Sequence, residues 1–146
     1  MRRHRVVTAL LMSVTFLVAT ALPAQAATVR EFSQMNGANE FPGPGDPDGQ
    51  GVTIVDLKVS NGRICVQLAF NNIATPTLFH IHQAAAGASG PVVVDFTSLI
   101  PTRGGCVTST PTLVMQIRDN PAGFYCNVHN GAFPNGAIRG QLQTSG

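Results

Sequence analysis

Two short strand-like runs joined by Asn61-Gly62 set the terms for this chain. In residues 63–71 the large apolar side chains of Ile64, Val66, Leu68 and Phe70 take every second position, the period of a half-buried strand. Residues 52–60 form a second run rich in β-branched side chains, and Asn-Gly stands between the two. Both residues of that dipeptide tolerate positive φ, which is what a tight β-turn demands. An antiparallel hairpin of 52–60 with 63–71, turning at Asn61-Gly62, is therefore expected.

The same punctuation continues along the chain. Short alternating or β-branched runs at 28–35, 52–60, 63–71, 78–83, 91–97, 106–109, 123–129 and 137–143 are separated by Gly, Pro, Asn and Asp, at the spacing of a sandwich or barrel. One stretch breaks the pattern. Residues 110–121 offer Thr110 as an N-cap, Pro111 at the first helical position, Leu113, Val114 and Ile117 at helical spacing, and Pro121 as a stop. They read as a short helix crossing from one sheet to the other. Residues 41–50 are too rich in Pro and Gly for a ladder strand and read as an ordered surface loop. The expected fold is all-β, an immunoglobulin-like or Greek-key sandwich or barrel of about eight strands with one helix.

Composition matters chiefly at the N-terminus. Arg2, Arg3 and Arg5 precede an uncharged apolar run ending at Leu22, then Pro23-Ala24-Gln25-Ala26, the order of a secretory signal peptide cleaved after Ala26. A single domain spanning 27–146 is left, with no further membrane span. The bare Arg2-Arg3 pair lacks the rest of a twin-arginine signal, so the general secretory route is favoured, and no Cys stands near the cleavage point to carry a lipid. The whole sequence carries 9 Lys and Arg against 7 Asp and Glu. Removing three arginines reverses that balance to a net charge of −1. So few scattered cations exclude a general nucleic-acid binder, whose affinity rests on neutralising phosphates.

Export implies oxidising conditions, and Cys65, Cys106 and Cys126 allow one bridge and one leftover thiol. Strand parity selects among the three pairings. Cys65 lies opposite Ile64, Val66 and Leu68, whereas Cys126 shares the parity of Phe124 and Val128. Cys106 follows the flexible Arg103-Gly104-Gly105. A Cys65–Cys106 bridge and a buried, unreactive Cys126 are expected.

The residues best suited to chemistry are histidines. In Phe79-His80-Ile81-His82 the imidazoles project from one strand face while Phe79 and Ile81 enter the core. Phe124-Tyr125-Cys126-Asn127-Val128-His129 repeats the pattern, sending Tyr125, Asn127 and His129 outward. With His4 lost in the signal, His80, His82 and His129 are the three that remain, a set that suits copper or zinc with an open position. The bland alternative is a hydrogen-bonded cluster fixing the Gly-rich loop after His82. Asp95 is a conceivable outer carboxylate without support from spacing. Asp46-Pro47-Asp48-Gly49 has the opening of a calcium loop but no distal Glu, and reads as a turn. Arg139 is a lone cation in the last strand, with Glu40 as a carboxylate for a structural ion pair. No Ser-His-Asp spacing, catalytic carboxylate pair, phosphate-cradling loop or Cys-x-x-Cys occurs.

Taken in order, Asn39-Glu40-Phe41-Pro42, Phe79-His80-Ile81-His82, Gly90-Pro91-Val92-Val93-Val94, Asn120-Pro121-Ala122-Gly123-Phe124-Tyr125, Asn127-Val128-His129 and Phe133-Pro134-Asn135-Gly136-Ala137-Ile138-Arg139-Gly140 resemble the CHRD domain over about residues 30–142. The domain is named for chordin, an extracellular antagonist of bone morphogenetic proteins, and also occurs alone in secreted microbial proteins. The resemblance implies an immunoglobulin-like or Greek-key β-barrel, and a distant likeness to the Cu/Zn superoxide dismutase barrel. Dismutase chemistry needs a bridging histidine and a separate zinc set, more ligands than three histidines supply. A growth-factor ligand belongs to a larger animal protein and does not transfer to one domain.

Two functions follow as expectations. The first is a secreted, non-enzymatic binding or interaction module with an extracellular or cell-surface ligand. The second is a protein holding copper or zinc through His80, His82 and His129.

Overall fold

The computed structural model describes residues 27–145. The expected signal peptide at 1–26 lies outside them. Among the described residues no helix is long and apolar enough to cross a membrane.

Eight strands form one antiparallel sheet: β1 (Val29–Asn36), β2 (Gln50–Lys58), β3 (Arg63–Asn71), β4 (Pro76–Gln83), β5 (Val92–Asp95), β6 (Gly104–Thr108), β7 (Phe124–Asn130) and β8 (Ile138–Thr144). Their spatial order is β5-β4-β7-β8-β1-β2-β3-β6. The sheet curls into a half-barrel around its apolar face. The all-β expectation of a sandwich or barrel holds, in its barrel-like form: one sheet curls on itself. The expected helix is α1 (Pro111–Asp119), with Thr110 Oγ1 accepting from the Leu113 N–H at 3.2 Å. Having no second sheet to reach, it carries the chain from edge strand β6 to interior strand β7.

The hairpin of β2 with β3 forms in the expected register, Leu57 opposite Ile64 and Val55 opposite Val66. Its turn is longer than expected. A 3-10 turn at Val59–Asn61 leads into Gly62, and Gly62 alone takes positive φ, at 66°. The reason is crowding: the Gly62 carbonyl accepts from Ser109 N–H at 2.8 Å, and a Cβ at Gly62 would overlap the Ser109 carbonyl.

Alternation sorts the side chains. Phe79, Ile81, Phe124, Cys126, Val128, Val55, Leu57, Ile64 and Val66 fill the inside of the curl, joined by Phe96 and by Val114 and Ile117 of α1. Phe79 and Phe96 pack with ring centroids 5.2 Å apart. Each such fully buried apolar side chain stabilises the fold by about 2 kcal/mol relative to exposure. At one end of the same inner face, Glu31 is buried without exposure, a carboxyl that alternation places among apolar neighbours.

Edge strand β6 is covalently fixed. Cys65 and Cys106 face each other across β3 and β6 and form the expected disulfide. Cys126 is a buried free thiol, and burial pushes its pKa up to about 12.

Candidate metal centre

Pairing of β4 with β7 builds the site. The register sets Leu78 against His129, His80 against Asn127 and His82 against Tyr125, so the two histidine-bearing strands are direct neighbours. One ring nitrogen from each of His80, His82 and His129 lies within 4.8 Å of the other two. The ring centroids are 5.2 Å apart for His80 and His129, 5.5 Å for His80 and His82, and 6.3 Å for His82 and His129.

This outward face is not open to solvent. Every residue of β7 is buried, and His80 and His129 are each 8% exposed. Three loops cover the face. Residues 84–91 are tied down where Ser89 Oγ donates to the Phe41 carbonyl at 3.0 Å and Gln141 Nε2 donates to the Ala84 carbonyl at 3.0 Å. Residues 40–46 are held by Asp46 N–H donating to the Ala137 carbonyl at 2.9 Å. In the third loop Gly136 takes φ 143°, and a Cβ there would overlap the Glu40 carboxylate.

The covering loops also decide which nitrogens are free. His82 Nδ1 lies 3.0 Å from the Gly90 carbonyl and His129 Nδ1 lies 2.9 Å from the Pro134 carbonyl. A carbonyl only accepts, so both Nδ1 atoms carry the proton and both Nε2 atoms present a lone pair. Those Nε2 atoms are buried without a hydrogen-bond partner, as is His80 Nδ1. His80 Nε2 stands 3.7 Å from Asp95 Oδ1, its cross-strand neighbour on β5, a polar contact longer than a hydrogen bond. Burial lowers the pKa of all three imidazoles, which keeps them neutral and able to coordinate.

The donor set fits a first-row divalent ion. A tetrahedral centre with bonds of about 2 Å places ligand nitrogens about 3.3 Å apart, so closure by up to about 1.5 Å through ring rotations completes the grip. Buried lone pairs facing one another are costly without a proton or cation between them. Copper and zinc both accept such imidazole donors.

Around this trio the sheet places further polar groups. The Tyr125 ring stacks on His82, and the Arg139 guanidinium lies 3.4 Å from the Tyr125 centroid. Since β4 and β8 flank β7, His82 and Arg139 sandwich the tyrosine. Asn127 Nδ2 donates to Glu40 Oε1 at 2.5 Å, while its Oδ1 is buried without a partner. Burial is the main cause that raises the Glu40 pKa to about 7, against the pull of Arg139 and Asn127.

Glu40 and Arg139 meet on this face without closing a direct ion pair. The carboxylate serves Asn127, and Arg139 Nη2 donates to the Ala85 carbonyl at 3.0 Å and to Gln141 Oε1 at 3.1 Å. Asp46 and Asp48 stay apart from the histidines, and the segment is a turn closed by Gly49 N–H on the Asp46 carbonyl at 3.2 Å. Tyr125 and Asn127 received no role from the sequence. Their shared parity with His129 was the available signal.

A curled antiparallel half-barrel with three histidines gathered under its loops defines the class. The CHRD domain model matches residues 32–142, and the chain belongs to that family. No curated protein and no solved structure matches the chain.

Proposed function

We propose that this chain is a secreted, non-enzymatic CHRD-type binding module whose ligand is a divalent ion, copper or zinc, held by His80, His82 and His129. The observation that carries the reading is the gathering of three histidines from neighbouring strands, each with a buried ring nitrogen without a partner, and with one ring nitrogen of each within 4.8 Å of the other two. Two of the rings are oriented by backbone carbonyls of separate loops, the arrangement that fixes a metal-binding tautomer. Export through residues 1–26 is consistent with a disulfide, since such bridges persist in oxidising compartments.

The test is stoichiometry. Purified mature domain, stripped with chelator and dialysed against Cu(II) or Zn(II), is expected to retain about one equivalent by elemental analysis. Replacing His80 and His82 together by Ala is expected to abolish retention while leaving the circular dichroism spectrum of the fold. Zero stoichiometry in the unmodified domain overturns the reading, and a module recognising its partner through the loops alone then takes its place.

A further inference from the structure

On the far side of Tyr125 from the histidines lies a second polar site, independent of any ion. Arg139 is 1% exposed, yet it borders a cavity of about 420 Å³ together with Gln34, Phe41 and Gln143. Small-molecule sites commonly measure about 300–1,000 Å³. The hydrogen bonds of Arg139 go to two neutral acceptors, the Ala85 carbonyl and Gln141 Oε1, both through Nη2. Among the described residues no carboxylate closes an ion pair with it.

A cation taken out of water without a counter-ion is an unbalanced cost. Glu40 lines the same cavity, but its carboxylate is turned to Asn127. The Tyr125 ring beneath the guanidinium offsets part of the cost by cation–π attraction and holds the plane of the group fixed. What remains is a rigid, nearly buried guanidinium at the cavity wall whose Nε and Nη1 make no hydrogen bond among the described residues. That geometry recognises carboxylates.

The rest of the lining narrows the ligand. The amide side chains of Gln34 and Gln143 can each donate and accept, as hydroxyl groups require. Phe41, 47% exposed, offers an apolar ring at the same mouth. We propose that the Arg139 cavity is a binding site for a hydroxylated carboxylic acid the size of one sugar residue, a hexuronate, with the carboxylate on Arg139, hydroxyls on the glutamine amides and the sugar's apolar face against Phe41. Above about pH 7, where Glu40 is ionised, its charge opposes the anion and confines the ligand carboxylate to the Arg139 side.

Calorimetric titration of chelator-treated domain at about pH 8, where Glu40 is ionised, with sodium D-glucuronate, D-glucose and sodium acetate at matched ionic strength tests this. Glucuronate is expected to bind saturably, with a Kd on the order of millimolar or below. Glucose and acetate, each lacking half of the recognition, are expected to bind at least about tenfold more weakly. Glu40→Gln keeps an acceptor for Asn127 and removes the opposing charge, so it is expected to tighten glucuronate by about 3- to 10-fold. Gln143→Glu at the exposed mouth is expected to weaken it by a similar factor, and Arg139→Gln to abolish it. Should Arg139→Gln fail to fold, the opposite signs of the two rim variants carry the test. Absence of saturable glucuronate binding, equal binding of glucose or acetate, or an affinity unmoved by both rim variants overturns the proposal. Because the titration is run without metal, its outcome is separate from that of the histidine site.

Discussion

The His82 and Tyr125 rings lie flat against each other, 4.7 Å between centroids and 7° between planes. Their polar atoms converge on one residue: Gly90 N–H donates to Tyr125 Oη at 3.4 Å and the Gly90 carbonyl accepts from His82 Nδ1. The tyrosine therefore fixes His82 by its face and steadies the loop that fixes its tautomer. Tyr125→Ala is expected to weaken Zn(II) uptake by about 10- to 100-fold, the usual effect of losing an outer partner of a ligand. Tyr125→Phe keeps the stack and loses one long hydrogen bond, and is expected to cost less than about threefold. Competition with a chromophoric chelator reads both values. A larger loss in the Phe variant than in the Ala variant contradicts the role assigned to the ring.

The Cys65–Cys106 bridge spans 41 residues. Closing a loop of that length restricts the unfolded chain by about 3 to 4 kcal/mol in the chain-entropy model. Replacing both cysteines by Ser is expected to lower unfolding stability by that amount in urea melts. Cys126, fully buried with its pKa pushed up to about 12, is expected to resist thiol reagents in the folded domain and to react only on unfolding. Fast modification under native conditions contradicts that burial.

Acid and alkali act on different groups of this face. The folded imidazoles sit below the ordinary value of about 6.5, so below that pH the unfolded chain binds more protons and stability falls as pH drops. Glu40 behaves oppositely. Its pKa is raised to about 7, so its contribution is complete below the ordinary carboxyl range and is lost as pH rises through about 7. Thermal melts of metal-free domain are expected to show Glu40→Gln matching the parent near pH 4.5 and melting higher at pH 8. Equal melting at both values contradicts the shift.

Glu31 has no exposed surface, and neither carboxyl oxygen makes a hydrogen bond, although Thr144 is its cross-strand neighbour on β8. Burial raises its pKa against a smaller opposing pull from the nearby Thr144 side chain, which comes close without making a hydrogen bond, so the neutral form is favoured. An unsatisfied buried polar group costs about 1–3 kcal/mol. Glu31→Leu, similar in size and facing Val55 and Leu57, is expected to stabilise the domain by about that amount in urea melts. A destabilised variant indicates a partner for the carboxyl that outweighs its burial.

Alternation carried much of this structure into the sequence. Parity alone placed Phe79 and Ile81 inward and His80 and His82 on the opposite face, and it paired Cys65 with Cys106 by setting Cys126 in the core. The adjacency of β4 and β7 could not be read that way, because register between strands more than forty residues apart depends on the whole sheet. The burial of the outward face was equally hidden. Its cover comes from loops whose anchors, such as Ser89 on Phe41 and Asp46 on Ala137, span 48 residues or more. Glu31 escaped notice because its position on the inner face contradicts its chemistry. Asn61-Gly62 marked the right hairpin but the wrong turn, since the neighbouring Ser109 carbonyl, which no local pattern reveals, decides which residue must be glycine.

The position of β8 bears on when this fold can exist. It is the last strand in the chain, yet it lies between β7 and β1 at the middle of the sheet. Until Ile138–Thr144 is synthesised, the strands can pair only as two separate ribbons, β5-β4-β7 and β1-β2-β3-β6, with the inner face of each uncovered by the other. Those ribbons can form early, but the curled sheet they belong to cannot be joined without β8. The closed sheet thus waits for the last of the described strands, whatever the order in which the others pair.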